Sequence, residues 1–154
     1  MIAAYNNEEF LKCREEKKSA VQLVYKIINK HTGHVGGNGS GGPIYGELTK
    51  GHMQKIVDFL IVNCDLTASS RFIDIGNGRG KPSMHVEQDP GVQFSFGIEI
   101  EKLRNNLGWY SLYHLLNVAM KDTTVGFKCL FEHGNISKAK TLNPFTHVYL
   151  YDVG

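Results

Sequence analysis

The densest concentration of site-forming residues is the run Phe72-Ile73-Asp74-Ile75-Gly76-Asn77-Gly78-Arg79-Gly80-Lys81. An acidic residue near the end of an apolar stretch is followed by three alternate glycines. Glycine tolerates positive φ and leaves no Cβ between the main chain and a ligand. A ligand at the carboxyl end of such a strand therefore touches bare backbone. The helix that follows offers N–H groups suited to a carboxylate or phosphate. Asp74 can receive an ammonium group, or it can hold the loop through backbone N–H bonds. A tight strand-to-helix turn with no ligand is the plain alternative.

The spacing narrows the choice of ligand. The dinucleotide fingerprint G-x-G-x-x-G needs glycine at position 81, where Lys81 stands, and the phosphate loop G-x-x-x-x-G-K-[ST] fails because Pro82 follows Lys81. The pattern Asp74-x-Gly76-x-Gly78-x-Gly80 instead suits S-adenosylmethionine, whose amino-acid end carries both an ammonium and a carboxylate. A second anchor is Phe94-Ser95-Phe96-Gly97-Ile98-Glu99-Ile100, an apolar stretch with Glu99 placed 23 residues after Gly76. In adenosine-binding α/β folds an acid about 20 residues on accepts the ribose hydroxyls. The alternative for Glu99 is an acid favoured at a helix N-terminus, a role that Glu101 is placed to fill. His133-Gly134-Asn135-Ile136 offers a side-chain carbonyl for an adenine amino group and an apolar face for its ring, though Asn is also a common turn residue. Tyr149-Leu150-Tyr151-Asp152 would face the same crevice, where Asp152 can orient an amine or simply end a strand.

These residues need elements to position them. Residues 6 to 30 read as a helix, with Val21, Leu23, Val24, Ile27 and Ile28 on one stripe and a charged, solvated stretch from Lys12 to Lys18. Seven glycines between Gly33 and Gly46 predict a loop. Thr49 to Cys64 is the clearest helix, with Met53, Ile56, Val57, Leu60 and Ile61 at helical spacing and Thr49 as N-cap. Arg71 to Ile75 is a strand, 76 to 80 a turn, and a helix begins near Lys81-Pro82, where proline is favoured. Gln93 to Ile100 predicts a strand, Glu101 to about Met120 a helix, Gly126 to His133 a third strand and Thr146 to Val153 a fourth. That order predicts an α/β fold with a largely parallel sheet. Residues 1–43 form an N-terminal helix and glycine-rich loop, and 44–154 a binding core. Four strands are few for a doubly wound sheet, so the core is expected to be incomplete at its C-terminus, a fragment or a naturally short version.

Composition bounds the classes. The 154 residues are 42% hydrophobic and 21% charged, close to the globular average, and the formal net charge is +2. No apolar run approaches the roughly 20 residues of a membrane span, and Glu8, Glu9, Lys12, Arg14, Glu15 and Glu16 arrive too early for a secretory h-region, so no secretory leader is expected. The charge is too even to make direct DNA contact evident. Three scattered cysteines, Cys13, Cys64 and Cys129, form neither a disulfide framework nor a zinc set and read as buried structural thiols in a reducing compartment. His31-x-x-His34 lacks a completing ligand, so no metal site is expected. Trp109-Tyr110 to Tyr113 reads as helix packing rather than a base-stacking platform.

Together the segments resemble class I S-adenosylmethionine-dependent methyltransferases with a Rossmann-like fold. Within that class the chain is similar to the non-SET histone lysine methyltransferases named for disruption of telomeric silencing. The residues that carry this are Ile44-Tyr45-Gly46-Glu47-Leu48 before the first long core helix, Asp74 to Gly80, Gly97-Ile98-Glu99, and Gly134-Asn135 where the family has Gly-Asp. The resemblance runs from about residue 44 to residue 154.

It implies that Tyr45 and Glu47 shape the methyl-donor end, that Asp74 and Gly76 hold the amino group, and that Gly78 and Gly80 complete the loop. It also implies that Lys81 lies near the carboxylate, where animal and yeast members tend to have Gln, that Glu99 holds the ribose, and that Asn135 and Ile136 hold the adenine. Where the family has Asn-Asn-Phe after the fourth strand, this chain has Asp152-Val153-Gly154, as in divergent protist members. Tyr45, Glu47 and Asp152 are the implied catalytic residues. The implied activity is methylation of a core lysine of histone H3 in the nucleosome, in the nucleus. Other readings are a class I methyltransferase with a non-histone substrate, or an inactive module that only binds the cofactor.

Overall fold

The computed structural model describes residues 7–33, 46–121 and 127–151. Four helices and four strands alternate as α1 (Asn7–Thr32), α2 (Lys50–Asn63), β1 (Arg71–Ile75), α3 (Lys81–Gln88), β2 (Phe94–Glu99), α4 (Lys102–Ala119), β3 (Cys129–His133) and β4 (His147–Leu150). A short 3₁₀ turn, Ile136–Lys138, lies between β3 and β4. The sheet has the order β3-β2-β1-β4, and every pairing is parallel. The fold is therefore the expected α/β type with a parallel sheet.

Local chemistry explains the boundaries. Thr49 caps α2 by accepting the His52 N–H, and Cys64 ends it with its own N–H on the Leu60 carbonyl. Pro82 sits in the first turn of α3, where its missing N–H costs nothing. The predicted third and fourth strands are longer than β3 and β4. The glycine-rich loop lies largely outside the described residues, as do Tyr45, His34 and Asp152.

The register sets two faces. Phe72 and Asp74 of β1 align with Ser95 and Gly97 of β2, which align in turn with Cys129 and Phe131 of β3. On this face the helices pack in two groups. Val21, Val24 and Ile28 of α1 join Met84 of α3, Leu112 and Leu115 of α4, and Cys129 and Phe131 of β3. Met53 and Val57 of α2 join Phe72 of β1 and Val86 of α3, with Tyr149 of β4 against them. Each wholly buried aliphatic side chain contributes about 1.5–3 kcal/mol, so Val21, Val24 and Ile28 bind α1 into the core. α3 is shared by both groups, and six of its eight residues are buried.

The opposite face carries Ile73, Phe96, Ile98, Leu130, Val148 and Leu150. The connection after β3 covers part of it, with Phe145 against Phe96 at 5.6 Å between ring centroids. Val148 and Leu150 stay 50% and 61% exposed.

The charged stretch of α1 is not simply a solvated face. Arg14 donates to Asp58 of α2 at 2.8 Å, and Lys17 donates to the Pro90 carbonyl at 3.0 Å. Nor are the cysteines uniformly buried. Cys129 is buried, but Cys13 and Cys64 are exposed, Cys64 because it sits at the end of α2.

Candidate functional site

Asp74 and Glu99 lie on the same face of adjacent parallel strands, both nearly inaccessible at 1% and 3%. Between them runs the glycine loop. The N–H groups of Gly76 and Asn77 donate to the Ile98 carbonyl at 2.8 and 3.2 Å, and Gly80 N–H donates to the Asn77 carbonyl. Gly76, Gly78 and Gly80 all have positive φ. Two of these positions show why glycine is required. At Gly80 a Cβ would overlap the Phe131 ring, whereas at Gly76 (φ 75°) a Cβ would meet open space. The backbone at Gly76 is therefore accessible in a conformation that L side chains rarely adopt.

It is Glu99 whose carboxylate ties the loop down. Its Oε2 accepts the Gly78 N–H at 2.8 Å, and its Oε1 accepts the Glu101 N–H at 2.9 Å. Arg104 lies 3.5 Å from Oε1. Glu101 occupies the N-cap position of α4, where an acid is favoured by the dipole, and makes no side-chain capping bond. A carboxylate has about four acceptor sites, so these bonds leave capacity for ligand hydroxyls.

Asp74 has the opposite character. Its Oδ2 is buried with no hydrogen-bond partner among the described residues. Burial first, and the Glu99 carboxylate second, push its pKa up to about 8, with the Ser83 hydroxyl acting the other way. Tyr149, in register with Asp74, is pushed up to about 12 by burial and then by the Asp74 charge. The buried Tyr25 of α1 is shifted upward by burial, then by Glu47, Tyr149 and Asp74. An ionised Asp74 in this setting calls for a cation.

Glu47 lies in the segment leading into α2 and is clamped from the loop. Arg79 Nε donates to its Oε1 at 2.7 Å, Arg79 Nη2 reaches its Oε2, and Lys81 Nζ donates to Oε2 at 2.6 Å. Arg79 also donates from Nη1 to Thr32 Oγ1 at 2.8 Å and to the Gly33 carbonyl. One fully buried guanidinium therefore joins the end of α1, the segment before α2 and the glycine loop. Arg79 and Tyr25 had no role in the sequence reading. An arginine within a glycine loop reads as solvated, and its partner Glu47 lies 32 residues away. Lys81 stands 5.9 Å from the Tyr25 ring centroid, which brings Tyr25 into the same group.

Asn135 and Ile136 lie apart from these residues. Asn135 Oδ1 accepts the Ser137 N–H at 2.9 Å and caps the 3₁₀ turn. Both residues line a cavity of about 460 Å³ with Ile73, Phe96, Ile98 and Phe145, on the sheet face opposite Asp74. The structure thus gathers Glu47, Asp74, Gly76, Gly78, Gly80, Lys81 and Glu99 around one loop, with Asn135 and Ile136 at the end of β3. No group of three or more metal-ligating side chains occurs among the described residues, and no described helix is long and apolar enough to cross a membrane.

A family model described as "Histone methylation protein DOT1" matches residues 38–122. Comparison with curated protein sequences finds no match. Among solved structures the chain is similar to a SAM-dependent methyltransferase from Geobacter sulfurreducens in complex with S-adenosyl-L-homocysteine, at 18% identity and a TM-score of 0.54, over 85% of this chain and 43% of that one. It is also similar to a SAM-dependent methyltransferase from Thiobacillus denitrificans in complex with the same ligand, at 18% identity and a TM-score of 0.52, over 82% of this chain and 42% of that one. The chain thus spans less than half the length of these two structures, and the likeness establishes the Rossmann-like methyltransferase fold.

Proposed function

This chain belongs to the family of the histone methylation protein DOT1, and we propose that it acts as an S-adenosylmethionine-dependent protein lysine methyltransferase on a core lysine of histone H3 in the nucleosome. The observation that carries the cofactor reading is Asp74, a buried carboxylate with an unpartnered oxygen beside Glu99 and against the open backbone of Gly76. Such a group is satisfied by a bound cation, and the ammonium of S-adenosylmethionine is one. The two methyltransferase neighbours solved with S-adenosyl-L-homocysteine support the same ligand.

When bound, S-adenosylmethionine supplies a methyl group on a sulfonium leaving group. The chain's own task is positioning, which supplies much of the rate in such transfers. Asp74 and Gly76 would hold the amino group, with Gly78 and Gly80 shaping the loop. Lys81 would face the carboxylate, and Glu99 would accept the ribose hydroxyls while keeping its bonds to Gly78 and Glu101. Asn135 and Ile136 would receive the adenine. Tyr45 and Glu47 would shape the donor end, with Glu47 held there by Arg79 and Lys81. A lysine must lose its proton to react, and an apolar approach lowers its pKa by desolvation. Asp152 would orient the amine or accept that proton. A histone substrate and a nuclear, chromatin-bound setting rest on the family's description.

Transfer of tritiated methyl groups to reconstituted nucleosomes, free histone octamer and non-histone cell protein tests the reading. Label on H3 in nucleosomes, lost with Asp74→Asn, is expected. Label on non-histone protein alone would replace the substrate. Binding of S-adenosylhomocysteine without transfer to any acceptor would leave a cofactor-binding module.

A further inference from the structure

Beside the glycine loop, α1 and α4 meet in a cluster of half-buried and exposed rings. His31 of α1 stacks face to face on His114 of α4, with centroids 3.5 Å apart and planes 9° from parallel. Tyr110 stands edge-on to His114 at 4.6 Å and to His31 at 6.4 Å, and Tyr113 is edge-on to His114 at 5.3 Å. Trp109 braces against Phe131 at 6.2 Å. These rings are not packed away as their sequence suggested: Trp109, Tyr110 and Tyr113 are 42%, 49% and 60% exposed. Their positions explain this, since Gly108, Ser111, Leu112 and Leu115 form the buried side of α4 and leave 109, 110 and 113 facing outward.

The helix segments that carry the rings bear charge of one sign. α4 contains no Asp or Glu, and α1 has none from Ser19 to Thr32. Lys26 and Lys30 are exposed on α1. Desolvation, His114 and Lys30 together hold the His31 imidazole below its ordinary pKa, which places the Lys30 charge at the cluster. Exposed rings beside cations on the same helix pair are complementary to a polyanion whose units carry flat faces. Bases of a single strand stack on such rings at a worth of about tenfold or more in affinity each, regardless of sequence. A duplex hides those faces, and an acidic protein surface lacks them.

We propose that the exposed Trp109, Tyr110 and Tyr113 rings, with Tyr110 and Tyr113 braced by the stacked His31 and His114, bind single-stranded nucleic acid by base stacking, with Lys26 and Lys30 on the phosphates. The surface flanks the glycine loop, which it meets through Phe131 and Gly108, but none of its rings holds the cofactor in the reading above.

Trp109 is the only tryptophan, so its fluorescence reports directly on the surface. Titration of the chain with fluorescein-labelled single-stranded dT20 and rU20, and with a 20-base-pair duplex, tests the proposal. Expected results are quenching of Trp109, preference for the single strands, and affinity that falls as salt rises. Tyr110→Ala with Tyr113→Ala should weaken binding at least about tenfold, with circular dichroism and the urea midpoint showing the fold retained. Lys30→Glu should weaken binding and flatten the salt dependence. DNA and RNA strands binding alike would support stacking as the shared chemistry. Equal or tighter duplex binding, binding untouched by the tyrosine pair, or no single-strand binding at low salt would overturn it.

Discussion

Asp74 offers the sharpest quantitative test, because its charge state should govern cofactor affinity. Burial, then Glu99, pushes its pKa up to about 8 in the ligand-free protein. At pH 6 about 1% of the molecules therefore carry an ionised Asp74, and at pH 7 about 10%. A cationic amino group binds the ionised form, so binding is coupled to proton release. Between pH 6 and pH 7 the affinity for S-adenosylhomocysteine should rise nearly tenfold, with about one proton released per ligand bound. Near pH 8 the gain should level off as Asp74 becomes ionised and the ligand's own amino group begins to lose its proton. Calorimetry at each pH, in buffers of different ionisation enthalpy, measures affinity and proton release together. Asp74→Asn should bind weakly and show no slope. The same shift has a cost without ligand: a carboxyl group with a raised folded pKa stabilises the fold below its unfolded pKa, and that contribution is lost as pH rises through about 8. Asp74→Asn should therefore raise ligand-free stability at pH 8 while it weakens binding. A wild-type affinity flat between pH 6 and pH 7, with no proton release, would refute the reasoning.

Other consequences follow from the same geometry. Arg79→Met breaks a buried ion pair and should lower stability by about 3–5 kcal/mol in urea. Glu47→Gln should lower stability less, because the glutamine oxygen still accepts from the buried Arg79 and the guanidinium keeps its bonds to Thr32 and the Gly33 carbonyl. His85 is buried between Tyr25 and Gln54, and burial, partly offset by Asp89 and Asp58, lowers its pKa to about 4. A histidine lowered in this way takes up a proton on unfolding. Its contribution is full above pH 6.5 and is lost as pH falls toward 4, by up to about 3 kcal/mol, and His85→Gln should remove that part of the acid sensitivity in urea titrations at pH 7 and pH 4.5. In thiol labelling of the folded chain, Cys13 and Cys64 should react quickly. Cys129, buried and bonded to Glu87 at 2.8 Å with its pKa raised by burial and by Glu87, should react only on unfolding.

What was legible in the sequence was whatever depends on neighbours in the chain. The cap at Thr49, the proline at the start of α3 and the apolar runs of β1 and β2 are local signals, and the elements begin and end close to where those signals lie. The placement of Asp74 and Glu99 at the ends of adjacent strands was also readable, because strand, glycine turn and helix follow directly on one another. Arg79 was not, since its partners Thr32, Gly33 and Glu47 come from two distant segments. The exposure of Trp109, Tyr110 and Tyr113 was hidden because the mild amphipathicity of α4 does not say which side α1 and the sheet will take. The bond from the Glu101 N–H to the Glu99 carboxylate was not legible either, because it depends on how β2 runs into α4. Asn135 reads equally as turn former and ligand holder, and in the folded chain it caps a turn at the edge of a cavity.

The central claim is that the loop from Asp74 to Gly80, with Glu99, forms the S-adenosylmethionine site. A crystal structure of the chain grown with S-adenosylhomocysteine tests it most directly. The ligand's amino group should lie within hydrogen-bond distance of the Asp74 carboxylate and its ribose hydroxyls on Glu99. Crystals without the ligand at saturating concentration, or a ligand whose amino group and ribose touch neither Asp74 nor Glu99, would contradict it.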